Sequence, residues 1–282
     1  IPPAAREAPS VTTGRMSLWE IINLFRATIA TVYPLQFVSD PTALSVALAL
    51  GYLTVAAASL CLLWYLRAFA QRLLVEPYRD RWRYLAVGVG AAAVYGAAGL
   101  AELSVTAAAE PFRRGATLFF FLFCAVGVRA VHRSVTGDDD ERLLAPALVV
   151  VTVFVWWATY LLAGPVVVGA AEVVGLLAAT FYTIYHAVGI VGVAEGTSVA
   201  AVTRQFLPAL VALAVVAAAE HVGVLAPGAA TVGRGVALVG TVLAGAFLFA
   251  TAVAVRQQSG EVERLYDKTT WHRRTSEGDL DD

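Results

Sequence analysis

Residues Leu143–Gly196 read LLAPALVVVTVFVWWATYLLAGPVVVGAAEVVGLLAATFYTIYHAVGIVGVAEG. Two long apolar runs meet at Gly164-Pro165, and neither has a charge near its middle. Each is at least as long as the roughly 20 residues a helix needs to cross a hydrocarbon core of about 30 Å. This pair decides the fold class: the chain is read as a polytopic, all-α membrane protein. The second run also carries Glu172, Tyr182, Thr183, Tyr185 and His186, the richest set of polar groups inside any span.

The composition supports that reading along the whole chain. Of 282 residues, 59% are hydrophobic and only 15% are charged, with a mean hydropathy of +0.72. A soluble domain carries nearer a quarter charged residues, and the apolar excess is spread too widely for one signal peptide. The net charge of -1 says little. Cys61 and Cys124 both fall in apolar runs and read as structural thiols. Lys268 is the single lysine in a chain rich in Ala, Val and Gly, a composition typical of GC-rich prokaryotic genomes.

Outward from the opening stretch, five further runs complete a set of seven. In order, the spans are Thr42–Leu66, Tyr84–Val105, Ala116–Val131, Leu143–Ala163, Val166–Val193, Phe206–Leu225 and Val236–Val255. The third is short and must borrow residues from its flanks. Its phenylalanine block Leu118–Phe123 faces lipid or packs between helices. Gly88, Gly90, Gly96 and Gly99 in the second allow close helix approach, or simply reflect a glycine-rich composition. Residues 1–16 are proline-rich and polar and read as a flexible terminus. Ser17–Val38 has an apolar face with Glu20 and Arg26 off it. It reads as an amphipathic helix in the membrane interface, or as an eighth span. Residues 256–282 form a charged tail ending in EGDLDD.

Charge asymmetry assigns an orientation. Fourteen arginines and lysines fall in the alternate loops and tail that share one side with the C-terminus, against Arg113, Arg114 and Arg234 opposite. The positive-inside rule makes the first side cytoplasmic, in a plasma membrane, and the start of the first clear span extracytoplasmic. Depth follows. Glu102, Tyr160, Glu172, Glu220 and His221 should lie at one level toward the outside. At 100° per residue, Glu172, Thr183 and His186 fall within roughly 60° of one another on one face of the fifth span. Tyr95 and Glu102 share a face of the second. Thr152, Trp156, Thr159 and Tyr160 make a stripe on the fourth.

Ionisable groups inside a bilayer cost about 2.5–3.5 kcal/mol each and usually face the bundle interior. Glu102, Tyr160, Glu172, Thr183, His186, Glu220 and His221 are therefore the candidate ligand- or ion-binding residues. They outline an outward-opening pocket with an acidic rim, suited to a cation, a proton or a small amine. The competing reading solvates the glutamates among headgroups and leaves His186 as a structural contact. Trp156 and Trp157 read as anchors before ligand platforms. The run Asp138–Asp139–Asp140–Glu141 reads as a solvated loop that starts the next helix, ahead of a cytoplasmic metal site.

Several chemistries lack their residues. No span holds a lysine for a retinal Schiff base, and there is no GxSxG, HExxH, CxxC or Walker loop. His132, His186, His221 and His272 are scattered. The reading assigns no catalytic residue, no metal site and no nucleic-acid partner, and leaves any cofactor open.

The segments Trp82–Val105, WRYLAVGVGAAAVYGAAGLAELSV, and Val126–Gly137, VGVRAVHRSVTG, resemble the second and third helices of the seven-helix sensor region at the N-terminus of many prokaryotic histidine kinases. The likeness covers about a fifth of the chain. It implies an N-outside, C-inside sensor bundle. The third span lacks the proline often found there, residues 256–282 hold no kinase, and no binding residue is carried over.

The expected architecture is thus a seven-helix membrane bundle with an N-terminal interfacial helix, or eight helices if Ser17–Val38 spans. The expected function is a non-enzymatic receptor or accessory protein. It would bind a small ligand or cation outside and signal to a membrane or cytoplasmic partner through the Arg67–Arg83 loop and the tail. A small proton or cation transporter and a structural subunit of a membrane complex are the alternatives.

Overall fold

The computed structural model describes residues 41–73, 76–105, 107–137 and 144–278, without the side chains at 41, 69–80, 107, 144–148, 150 and 259–278. Residues 1–16, Ser17–Val38 and the acidic run at 138–141 lie outside it. The described chain is all helix, with no strand among these residues. The helices are α1 Pro41–Leu73, α2 Glu76–Ser104, α3 Glu110–Thr136, α4 Leu144–Leu162, α5 Pro165–Val193, α6 Ser198–Leu225 and α7 Ala230–Gly278. Short 3-10 turns at Ala107–Ala109 and Pro227–Ala229 precede α3 and α7.

Local chemistry sets the boundaries. Gly164 is extended and Pro165 opens α5, where the missing N–H costs nothing. Thr197 caps α6, its Oγ1 accepting from the Ala200 amide at 3.3 Å. Gly137 ends α3 in the left-handed region at φ 78°, its amide donating to the Arg133 carbonyl. Glu110 and Pro111 start α3 one turn before the apolar run. The third span is therefore longer than the apolar run Ala116–Val131. Arg113 and Arg114, placed in a loop by the sequence reading, sit in its first turns.

Among the described residues, six helices are long and apolar enough to cross a membrane: all but α4, whose described apolar part is Val151–Leu162. The protein is a multi-pass membrane protein on this ground. Its outer faces fit that medium: Trp64, Phe154, Leu162 and Phe181 are all exposed, since lipid tails take apolar side chains as readily as a core does.

The six spans close a ring. α1 packs on α2, α2 on α3, α3 on α5, α5 on α6, α6 on α7, and α7 back on α1. α4 lies outside it against α3 and α5. Side chains from all six fill the centre, Val55, Leu62, Val89, Phe120, Leu210 and Leu248 among them. Phe120 and Phe121 are buried in the core. Close approach depends on glycine at two points on α2. A Cβ at Gly96 would come within 2.6 Å of the Tyr52 carbonyl oxygen, and one at Gly99 within 2.6 Å of the Tyr52 ring. Gly90 faces open space, its nearest neighbour 4.0 Å away. Pro208 sits inside α6. It has no amide to donate to the Arg204 carbonyl, and Thr251 of α7 donates to the neighbouring Gln205 carbonyl at 3.0 Å. Both cysteines are free thiols, Cys124 fully buried.

Strict alternation brings the starts of α3 and α5 and the ends of α2, α4 and α6 to one end of the ring. That end holds the polar network described next.

Candidate functional site

Six helices, α1 to α6, contribute ionisable or aromatic groups to this network, and Arg113 and Arg114 sit at its centre. Arg113 donates from Nε to Glu102 Oε2 at 2.6 Å and from Nη1 to Glu220 Oε2. Arg114 donates from Nε and Nη2 to Glu172 Oε2 at 3.0 and 2.7 Å. It also reaches Glu110 on its own helix at 3.3 Å. Adjacent residues on a helix point about 100° apart. The two guanidiniums therefore serve different sides of α3, one toward α2 and α6, the other toward α5.

Each central carboxylate is surrounded by donors. Glu220 Oε1 accepts from Tyr95 Oη at 2.8 Å and Tyr52 Oη at 3.2 Å, and those two rings pack edge to face. Glu172 Oε1 accepts from Trp156 Nε1 at 2.8 Å. His221 Nε2 is hydrogen-bonded to Glu172 Oε2, and its Nδ1 to the Ala217 carbonyl at 2.6 Å. Tyr160 lies under the Arg114 guanidinium, 5.5 Å from ring centroid to Cζ. Burial is deep: Glu172 is 9% exposed, Arg113 11% and Glu220 13%. Isolated charges there would be costly, and mutual pairing with full hydrogen bonding is what offsets the desolvation.

The network therefore joins Glu102, Tyr160, Glu172, Glu220 and His221. Arg113 and Arg114 complete it, and the sequence reading had not counted them. Thr183 and His186 are elsewhere. Thr183 is buried on α5 and donates to its own helix at Ala179 O, 2.7 Å. His186 lies fourteen residues beyond Glu172, roughly 21 Å along the axis. It pairs with His132 of α3, Nδ1 to Nδ1 at 2.9 Å. Tyr182 and Tyr185 pack against its ring. A Cβ at Gly189 would overlap the His132 ring, so the pair occupies a notch cut by that glycine. The shared helix face is real, but it carries two separate sites.

Beneath the network lies a cavity of about 200 Å3 between α3, α4, α5 and α6. Arg114, Glu172, Glu220 and His221 form its polar wall, with Thr117 and Thr152; Leu118, Phe121, Leu122 and Leu176 form the apolar one. Cavities near 150 Å3 admit a benzene-sized molecule. The arrangement can hold a small amphipathic compound, its polar end at the ion pairs. Among the described residues no three His, Cys, Asp or Glu side chains gather as a metal site would require.

Comparison with known protein families, curated proteins and solved structures finds no match to this chain.

Proposed function

We propose that this chain is a non-enzymatic, receptor-like protein of the plasma membrane that takes a small amine-bearing ligand into the cavity beside Arg114 and Glu172. One observation carries the reading: a space of benzene size with an ionised wall and an apolar wall, the usual make-up of a small-molecule site. Glu102, Glu110, Glu172 and Glu220 face two guanidiniums, so the carboxylates of the cluster outnumber its arginines. An ammonium group matches that excess. A ligand wedged between α3 and α5 moves helices whose far ends meet at the His132–His186 contact. The shift would pass to a protein partner through the basic loops and tail.

In this reading α4 is the seventh span, the basic end faces the cytoplasm by the positive-inside rule, and the cavity belongs to the outer half. The resemblance to kinase sensor regions accords with it. The test is thermal unfolding of the purified protein in detergent with benzylamine, against benzyl alcohol as its neutral match. Binding at a hundredfold excess over Kd stabilises by about 2.7 kcal/mol. Stabilisation by the amine alone, lost in Glu172→Gln, supports the proposal; equal responses to both compounds count against it.

A proton or cation transporter is the second reading. It is favoured by the Glu172–His221 and His132–His186 contacts near opposite ends of the same helix, α5. It requires flux into proteoliposomes that falls in Glu172→Gln and in His186→Gln.

A further inference from the structure

On the opposite side of α3 from the cavity, a groove of about 1370 Å3 opens on the outer surface of the ring, between α1, α2, α3 and α4. Its walls are apolar, with Leu63, Val87, Phe119 and Phe123 among them, and its basic mouth holds Arg67 and Arg83. Both arginines are exposed. Arg81, two residues before Arg83, donates instead to α3, at the Ala130 carbonyl and Ser134.

We infer that this groove is a binding site for an anionic phospholipid, with the phosphate between Arg67 and Arg83 and an acyl chain along Phe119 and Phe123. Charge complementarity argues for the head: basic pockets between spans select anionic lipids, at about one unit of binding energy per arginine near the surface. Length argues for the chain. From Arg83 to Val94 the α2 wall runs roughly 16 Å at 1.5 Å per residue, close to the ~15 Å of one leaflet. A partner helix would have no use for two guanidiniums at the mouth of an apolar groove, and a free anion none for the groove.

The test uses the full chain in detergent, titrated with dioleoyl-phosphatidylglycerol or dioleoyl-phosphatidylcholine, with bound lipid counted by native mass spectrometry. The glycerol lipid is expected to be retained over the choline lipid, and R67Q/R83Q to weaken it by roughly tenfold to thirtyfold. Arg204→Gln, a basic-end control off the groove, should leave it unchanged. R67K/R83K should keep most of the binding. Val87→Trp, which fills the wall, should lose it with both arginines intact. Equal retention of the two lipids, full competition by inorganic phosphate, a second protein chain in place of lipid, or an effect of R204Q as large as R67Q/R83Q overturns the proposal. Failure here leaves the benzylamine result untouched, since the cavity shares no arginine with the groove.

Discussion

Glu172 accepts hydrogen bonds from three helices other than its own: Arg114 of α3, Trp156 of α4 and His221 of α6. Its substitution should be felt in all three. Glu172→Gln keeps the shape but leaves the buried Arg114 with only the more exposed Glu110 of its own helix as a charged partner. Breaking a buried pair this way typically costs about 3–5 kcal/mol, so a clear drop in the melting temperature in detergent is expected. Arg114→Gln should cost a similar amount. The double variant should cost well under the sum, with a coupling of about 1–3 kcal/mol in a double-mutant cycle. Additive losses would mean that the two groups are solvated independently. The depth argument could place Glu102, Glu172 and Glu220 at one level because helix alternation alone sets it. It could not find their partners. Arg113 and Arg114 read as loop because the apolar run begins at Ala116. The missed signal was Glu110-Pro111, an ordinary helix start that puts both arginines on the helix.

Helices α1 and α2 meet through a glycine seam, and the seam positions a functional side chain. Tyr52 lies over Gly99, and its hydroxyl reaches Glu220 on α6. Gly99→Val should push α1 away and destabilise the bundle by about 1–3 kcal/mol, the usual cost of overpacking. Gly90→Ala, in open space on the same helix, should be neutral or slightly stabilising through helix propensity. Equal effects at the two positions, read from thermal unfolding, would refute the seam. The sequence supplied the candidate glycines but could not rank them, since which of them meets a neighbour depends on helix rotation. Phase had the same limit on α5. It put Glu172, Thr183 and His186 on one face, yet Thr183 turned to its own backbone and His186 to His132. A periodicity argument yields a face and not a partner. On α5 itself, Gly189→Ala should press a methyl into the His132 ring, again costing about 1–3 kcal/mol. The loss should shrink when His132→Ala is added. A loss of equal size in both backgrounds would place the strain elsewhere.

At the scale of the whole molecule, membrane character was legible from composition and run length, because a bilayer imposes its thickness on the chain directly. Ring closure was not, since nothing in seven apolar runs says that α7 returns to α1 while α4 stays outside. What the ring adds is a separation of ends. The acidic residues of the network gather at one end, and most of the described arginines lie at the other. Orientation then becomes one measurable variable for the entire protein. In a Cys61→Ser background, with Cys124 fully buried, a single cysteine can report each end. Gly228→Cys marks the exposed turn before α7, and Arg204→Cys the exposed start of the α6 crossing, both outside the core. A membrane-impermeant maleimide added to intact cells should label Gly228→Cys and reach Arg204→Cys only after permeabilisation. The reverse pattern would turn the molecule over and put the Arg114–Glu172 cavity in the cytoplasmic half. A receptor for an external amine would then be untenable, while the anionic-lipid groove would merely change leaflets, because its argument rests on the arginines and not on the side they face.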